Sequence, residues 1–127
     1  MRDFKTLKVW QKSHVVVCGV YDLVKTFPPE ERYALGDQLR RAVVSIPSNI
    51  AEGFGRETNK ERLRFLSISL GSAAEVEYYF ILAHDLNYLP EPEFKRLTGI
   101  LYEVQRMLRS LYHKIQADEA NRRRQRR

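Results

Sequence analysis

Glu52, Glu75 and Glu77, with His14, His84 and His113, are the side chains of this sequence that could hold a metal or move a proton. Helical di-metal sites take their ligands from Glu-x-x-His pairs, whose three-residue spacing turns both groups inward. No such pair occurs, and the histidines fall singly on three different helical stretches. His14 and His84 lie on apolar faces and are expected as hydrogen-bonded core histidines. The single cysteine, Cys18, cannot build a Cys-rich zinc site. Within its apolar stretch it is expected to pack as a small residue, not to react as a thiolate. There is no Gly-x-Ser-x-Gly elbow and no Gly-x-x-x-x-Gly-Lys phosphate loop. The sequence therefore offers no catalytic residue, no metal ligand and no cofactor site, and the expectation is a protein that is not an enzyme.

The remaining chemistry is cationic. The chain carries a formal charge of +6 and a pI near 9.6, which raises a nucleic-acid reading. The last seven residues, NRRRQRR, hold five of the arginines, and without them 17 basic residues face 16 acidic ones. Residues 119–127 are expected to be a disordered basic tail, because the last seven have no apolar residue to bury and their charges repel. Such a tail has two readings, a phosphate-binding arm or a solubilising end. In the body, Arg2, Lys5, Lys8 and Lys12 cluster early, Arg40 and Arg41 are adjacent, and Lys60, Arg62 and Arg64 follow Arg56. Glu57 and Glu61 dilute that last group, which also reads as a solvated face. The candidate nucleic-acid residues are Arg40, Arg41, Lys60, Arg62, Arg64, Arg122, Arg123 and Arg124.

Helices must position these groups, since strand signals are almost absent. Leu7, Trp10, His14, Val17, Tyr21 and Val24 recur at steps of three and four, which marks one face of a first helix. Phe27-Pro28-Pro29 ends it. Leu35, Leu39, Val43, Ile46, Ile50 and Phe54 line a second, in which Pro47 predicts a kink and Gly53 and Gly55 signal the end. Thr58 and Glu61 have the spacing of a capping box for a third helix. It carries two apolar stripes, one through Leu66, Leu70 and Phe80 and one through Ile68, Val76 and Tyr79, so burial on more than one side is expected. Glu77, inside the first stripe, must be paired or protonated: a polar pocket is one reading, and a hydrogen bond to another helix or a position at the bundle edge is the expected one. After Pro90 and Pro92, a fourth helix runs Leu97, Leu101, Val104, Leu108, Leu111, Ile115. The predicted fold is all-α: an antiparallel up-down-up-down four-helix bundle over residues 1–118, the second helix kinked near Pro47.

No stretch of about eighteen apolar residues exists, so no membrane partner is expected. One cysteine permits no intrachain disulfide and fits a reducing cytoplasm. Arg41, Ser45, Ser48 and Glu52 form a stripe opposite the core face of the second helix, beside Val44. The third helix has a low-profile middle from Ser67 to Ala74. Arg41, Val44, Ser45, Ser48, Asn49 and Glu52, with Gly71 and Glu75, are the expected self-association surface; a merely solvated face is the alternative.

Phe4 to Gln11 (FKTLKVWQ), Gln38 to Gly55 (QLRRAVVSIPSNIAEGFG) and Gly71 to Glu77 (GSAAEVE) resemble, in order and spacing, the four-helix-bundle 23S rRNA intervening-sequence proteins. Their relatives include the accessory protein of diversity-generating retroelements. The resemblance runs to about Ile115 and excludes the arginine tail. It implies a bacterial, cytoplasmic bundle assembling into a ring, a pentamer, with nucleic acid and a reverse transcriptase as associates of the accessory relative. It brings no catalytic residues. The reading is an oligomeric, non-enzymatic protein binding structured RNA; its rival is a protein-interaction scaffold without a nucleic-acid role.

Overall fold

A computed structural model describes residues 3–126. Met1, Arg2 and Arg127, and with them the first and last of the expected cationic positions, lie outside the described residues. After a 3-10 turn, Phe4–Thr6, the chain forms α1 (Lys8–Val24), the single-turn α2 (Pro29–Arg32), α3 (Leu35–Phe54), α4 (Asn59–Asp85) and α5 (Glu91–Gln125). α1, α3, α4 and α5 close a four-sided bundle in which each long helix packs on two others. Cross-helix pairs run in opposite senses along the α3–α4 and α1–α5 seams. On α3 and α4, Gly53 meets Phe65 while Gln38 meets Tyr79. On α1 and α5, Lys12 pairs with Glu103 while Gly19 touches Leu97. The expected antiparallel bundle is what forms.

Local chemistry sets the helix ends. Thr58 Oγ1 accepts the Glu61 N–H at 3.2 Å and opens α4. α4 closes on Asn87, at φ 64°, in a paired arrangement: the Tyr88 N–H donates to the Ala83 carbonyl at 2.8 Å and the Asn87 N–H to that of His84 at 3.0 Å. Gly53 does not cap α3. It is buried inside the helix, where an added Cβ would lie 3.1 Å from the Phe65 Cβ, so its role is the close approach of α3 to α4.

Three expectations change. The second arm is interrupted at Tyr33–Ala34, where Ala34 (φ −110°, ψ −94°) leaves the helical region, whereas α3 runs unbroken through a buried Pro47. The buried face of α1 is Val9, Ser13, Val16, Val20, Leu23 and Val24; of the predicted face Leu7 and Val24 are buried, and between them the face lies about one residue or 100° round from the predicted one. Ser13 fits this apolar face because its hydroxyl donates to the Trp10 carbonyl at 2.8 Å. His14 and Cys18 are consequently exposed, not core. His84 is half-buried, bonded to Glu91 Oε2 at 2.5 Å and stacked on Phe94.

The third concerns the tail. α5 continues as helix to Gln125 in place of the disordered segment expected from residue 119. Arg, Ala, Glu and Gln are good helix formers, and lengthening an existing helix needs no new nucleus. Asp118 and Glu119 precede Arg122 and Arg123 by four residues, the favourable order for oppositely charged neighbours, and the arginines face the negative end of the helix dipole.

Candidate nucleic-acid interface

The turn between α3 and α4 is built around Arg62. Its Nη1 donates to Asn59 Oδ1 at 2.7 Å, and its Nη2 donates to the carbonyls of Arg56 (2.8 Å) and Glu57 (3.2 Å). The planar fork thereby satisfies carbonyls left over where α3 ends. Arg62, a sequence candidate for phosphate, is engaged inside the protein. Arg56 reaches Glu52 at 3.7 Å and lies 4.9 Å above the Phe65 ring, with Arg64 5.5 Å from the same ring. Phe65 is thus a platform between two guanidinium groups.

Lys60 and Arg64 remain on the exposed side of α4. The continued α5 sets Arg123 opposite them, across a groove of about 830 Å³ that also presents Tyr112, Ile68 and the carboxylates Glu61 and Glu119. Arg124 lines a smaller adjoining recess with Leu63 and Gln116. Arg122 is exposed in the same last stretch of α5. Two cationic patches that are sixty residues apart in the chain therefore become one surface. Arg40 and Arg41 do not join it: at 1.5 Å per residue, Arg41 stands about 18 Å along α3 from Gly53. Arg40 is paired with Asp37 and donates to the Arg32 carbonyl at 2.9 Å, while Arg41 is exposed.

The expected self-association residues divide into two sets. Arg41, Val44, Ser48 and Glu52 on α3 and Gly71 and Glu75 on α4 are exposed, and no neighbouring side chain comes within 4 Å of where a Gly71 Cβ would stand. Ile68, 40% exposed, joins Val44, 38% exposed, as uncovered apolar surface. Ser45 and Asn49 turn instead into the α3–α4 seam. Ser45 Oγ shares a 2.7 Å hydrogen bond with Ser72 Oγ, and Asn49 Nδ2 donates to the Ser45 carbonyl at 2.7 Å. Ser69 Oγ donates to the Ile46 carbonyl at 2.7 Å, fully buried beside Pro47. Glu77 makes the predicted interhelical hydrogen bonds, to Gln105 and Tyr102 of α5.

Residues 5–110 match the family of 23S rRNA-intervening sequence proteins. The chain belongs to that family. Among solved structures it is similar to a protein of unknown function from the S23 ribosomal protein family of Bacteroides thetaiotaomicron VPI-5482, with a TM-score of 0.77 and 23% identity. The alignment covers 82% of this chain and 97% of that one, a likeness of fold. No curated protein matches the chain. The family match includes Lys60 and Arg64 and ends before Tyr112 and Arg123. Sequence reading missed Tyr112 and the Phe65 platform; their only signal is helical register across two helices.

Proposed function

We propose that this intervening-sequence protein is a non-enzymatic, self-associating bundle that binds structured RNA through its phosphates, at the groove of Lys60, Arg64 and Arg123. The observation carrying the reading is the helical continuation of α5, which sets Arg123 across from Lys60 and Arg64. Phosphates are held by clustered cations whose counterions are released on binding. Glu61 and Glu119 limit the charge of one groove, and repetition around a ring, a pentamer in this proposal, multiplies it. Val44, Ile68 and the open middle of α4 at Gly71 supply the contact between copies, where close helix approach is possible. The assembly acts in the cytoplasm, with DNA or a reverse transcriptase as further partners.

The test is binding of a hairpin RNA and of duplex DNA over a series of salt concentrations. The intact chain should bind RNA with a steep salt dependence. If all five tail arginines contact phosphate, ending the chain at Ala120 flattens the log–log slope on duplex DNA by about four to five, and less on single strands. The Lys60→Ala, Arg64→Ala double variant should remove about two more. No binding by the intact chain at low salt overturns the proposal. That outcome, with an intact ring by light scattering, leaves the protein-interaction scaffold, which the uncovered Val44 and Ile68 favour. A 15.0 kDa species at micromolar concentration overturns self-association.

A further inference from the structure

Five ionised side chains of both signs line the groove between α4 and α5: Lys60, Arg64 and Arg123 with Glu61 and Glu119. Among the described residues none of the five is in an ion pair, although opposite charges elsewhere on the bundle close up, as Lys12 does on Glu103 at 2.7 Å. The groove keeps them apart. Tyr112 adds an aromatic surface, packed partly against the core and also lining the groove. On α5, Tyr112, Glu119 and Arg123 follow one another at steps of seven and four, which sets them within an arc of about 40°. A ring, a carboxylate and a guanidinium thus stand in line along one wall. A groove for phosphate alone has no use for carboxylates, which repel it. Cations, an aromatic ring and acceptors together match a whole nucleotide.

We propose that this groove takes one unpaired nucleotide of the RNA and selects guanine, an inference that rests on the RNA reading above. The flanking phosphates lie against Lys60, Arg64 and Arg123, held by charge and counterion release. The base, out of the helical stack, lies on Tyr112. Its Watson–Crick edge meets Glu119, which is half-buried and in line with Tyr112, whereas Glu61 is exposed on the opposite wall. Partial burial strengthens a charge-assisted hydrogen bond. Guanine alone among the bases of RNA carries two adjacent N–H donors on that edge, N1–H and the 2-amino group, and they match the two oxygens of one carboxylate. Adenine and cytosine set an acceptor nitrogen beside their amino group, and uracil sets a carbonyl on each side of its single N–H. Each of these turns a lone pair toward a carboxylate oxygen. Fully paired RNA has the edge occupied and gains nothing from Glu119. The acid that lowers the charge of the groove thereby sets its selectivity.

Binding of the full chain to RNA duplexes carrying one bulged nucleotide, G, A, C or U, tests the site at a single salt concentration, with a fully paired duplex as control. The G bulge should bind at least about fivefold more tightly than the other three, the low end of discrimination by a two-bond base contact. Glu119→Gln leaves one acceptor and adds a donor, so the preference for G should vanish while the other RNAs bind no more weakly, a repelling charge having gone. A Glu119→Gln protein that binds all four bulges more tightly and still prefers G overturns the assignment. Tyr112→Leu keeps apolar bulk against the core and should weaken every bulged RNA toward the paired control, whereas Tyr112→Phe should not. Helical circular dichroism verifies that the variants fold. Equal affinity of the unaltered chain for all four bulges overturns the guanine site and leaves phosphate binding standing. No RNA bound at low salt overturns both.

Discussion

Gln105 Nε2 donates to Glu77 Oε1 at 3.0 Å across the α4–α5 seam, with Gln105 only 5% exposed. Tyr102 takes the second carboxylate oxygen at 3.2 Å. A buried amide without its acceptor costs about 1–3 kcal/mol, so Glu77→Ala should destabilise the fold by that amount. Glu77→Gln keeps an acceptor and should lose less. Urea unfolding of the three proteins checks the order; equal stability of Glu77→Ala and the unaltered chain would reject the bond as structural.

The same carboxylate predicts an alkaline limit. The negative charge of Glu77, then its hydrogen bond, raises the Tyr102 phenol above its ordinary 10.0, and burial followed by Glu75 raises Tyr79. A raised folded value means the native state holds protons that the unfolded chain has already released. The associated stability is full below pH 10 and falls as pH rises toward the folded values. Melting temperature should drop as pH rises beyond 10, and Tyr102→Phe should flatten the drop. An unchanged slope in that variant would assign the alkaline loss to other groups.

Much of the bundle was legible because period alone decides it. Leu97, Leu101, Val104 and Leu108 are all fully buried, as their spacing requires, and Leu39, Val43, Ile46 and Ile50 likewise. α1 was misread because Val15, Val16 and Val17 put apolar groups on adjoining faces. Its register is settled by contact with α3 and α5, where Val16 is buried and Val15 is not. Neither residue of the break at Tyr33–Ala34 is a proline or glycine, whereas Pro47 is absorbed within α3. The site was legible only as separate patches. Which cations are free depends on carbonyls at the α3–α4 turn, and those belong to three-dimensional structure, not to composition.

Arg62 and Arg64 should therefore separate cleanly. Arg62→Ala strips three hydrogen bonds from the turn and should cost about 1.5–3 kcal/mol, with Arg62→Lys recovering little because an ammonium cannot span the fork. Arg64→Ala should leave stability within about 0.5 kcal/mol and lower RNA affinity. Paired thermal melts and RNA titrations at one salt concentration measure both. Loss of RNA binding in a fully folded Arg62 variant would return that residue to the interface.

The two glycines on the α3–α4 side should respond with opposite signs. Replacing glycine by alanine inside a helix gains about 0.5–1 kcal/mol when the methyl has room. At Gly71 it has room, so Gly71→Ala should raise the melting temperature of the dissociated chain. At Gly53 the new Cβ meets the Cβ of Phe65 at 3.1 Å, an atom fixed to the α4 backbone, so relief requires α3 and α4 to part. Gly53→Ala should lose stability despite its better helix propensity. Gly71 carries a second readout: if α4 contacts another copy there, Gly71→Arg weakens assembly in light scattering while the dissociated chain stays folded. A Gly71→Arg protein with unchanged assembly and an unchanged melt would move the contact between copies away from this face.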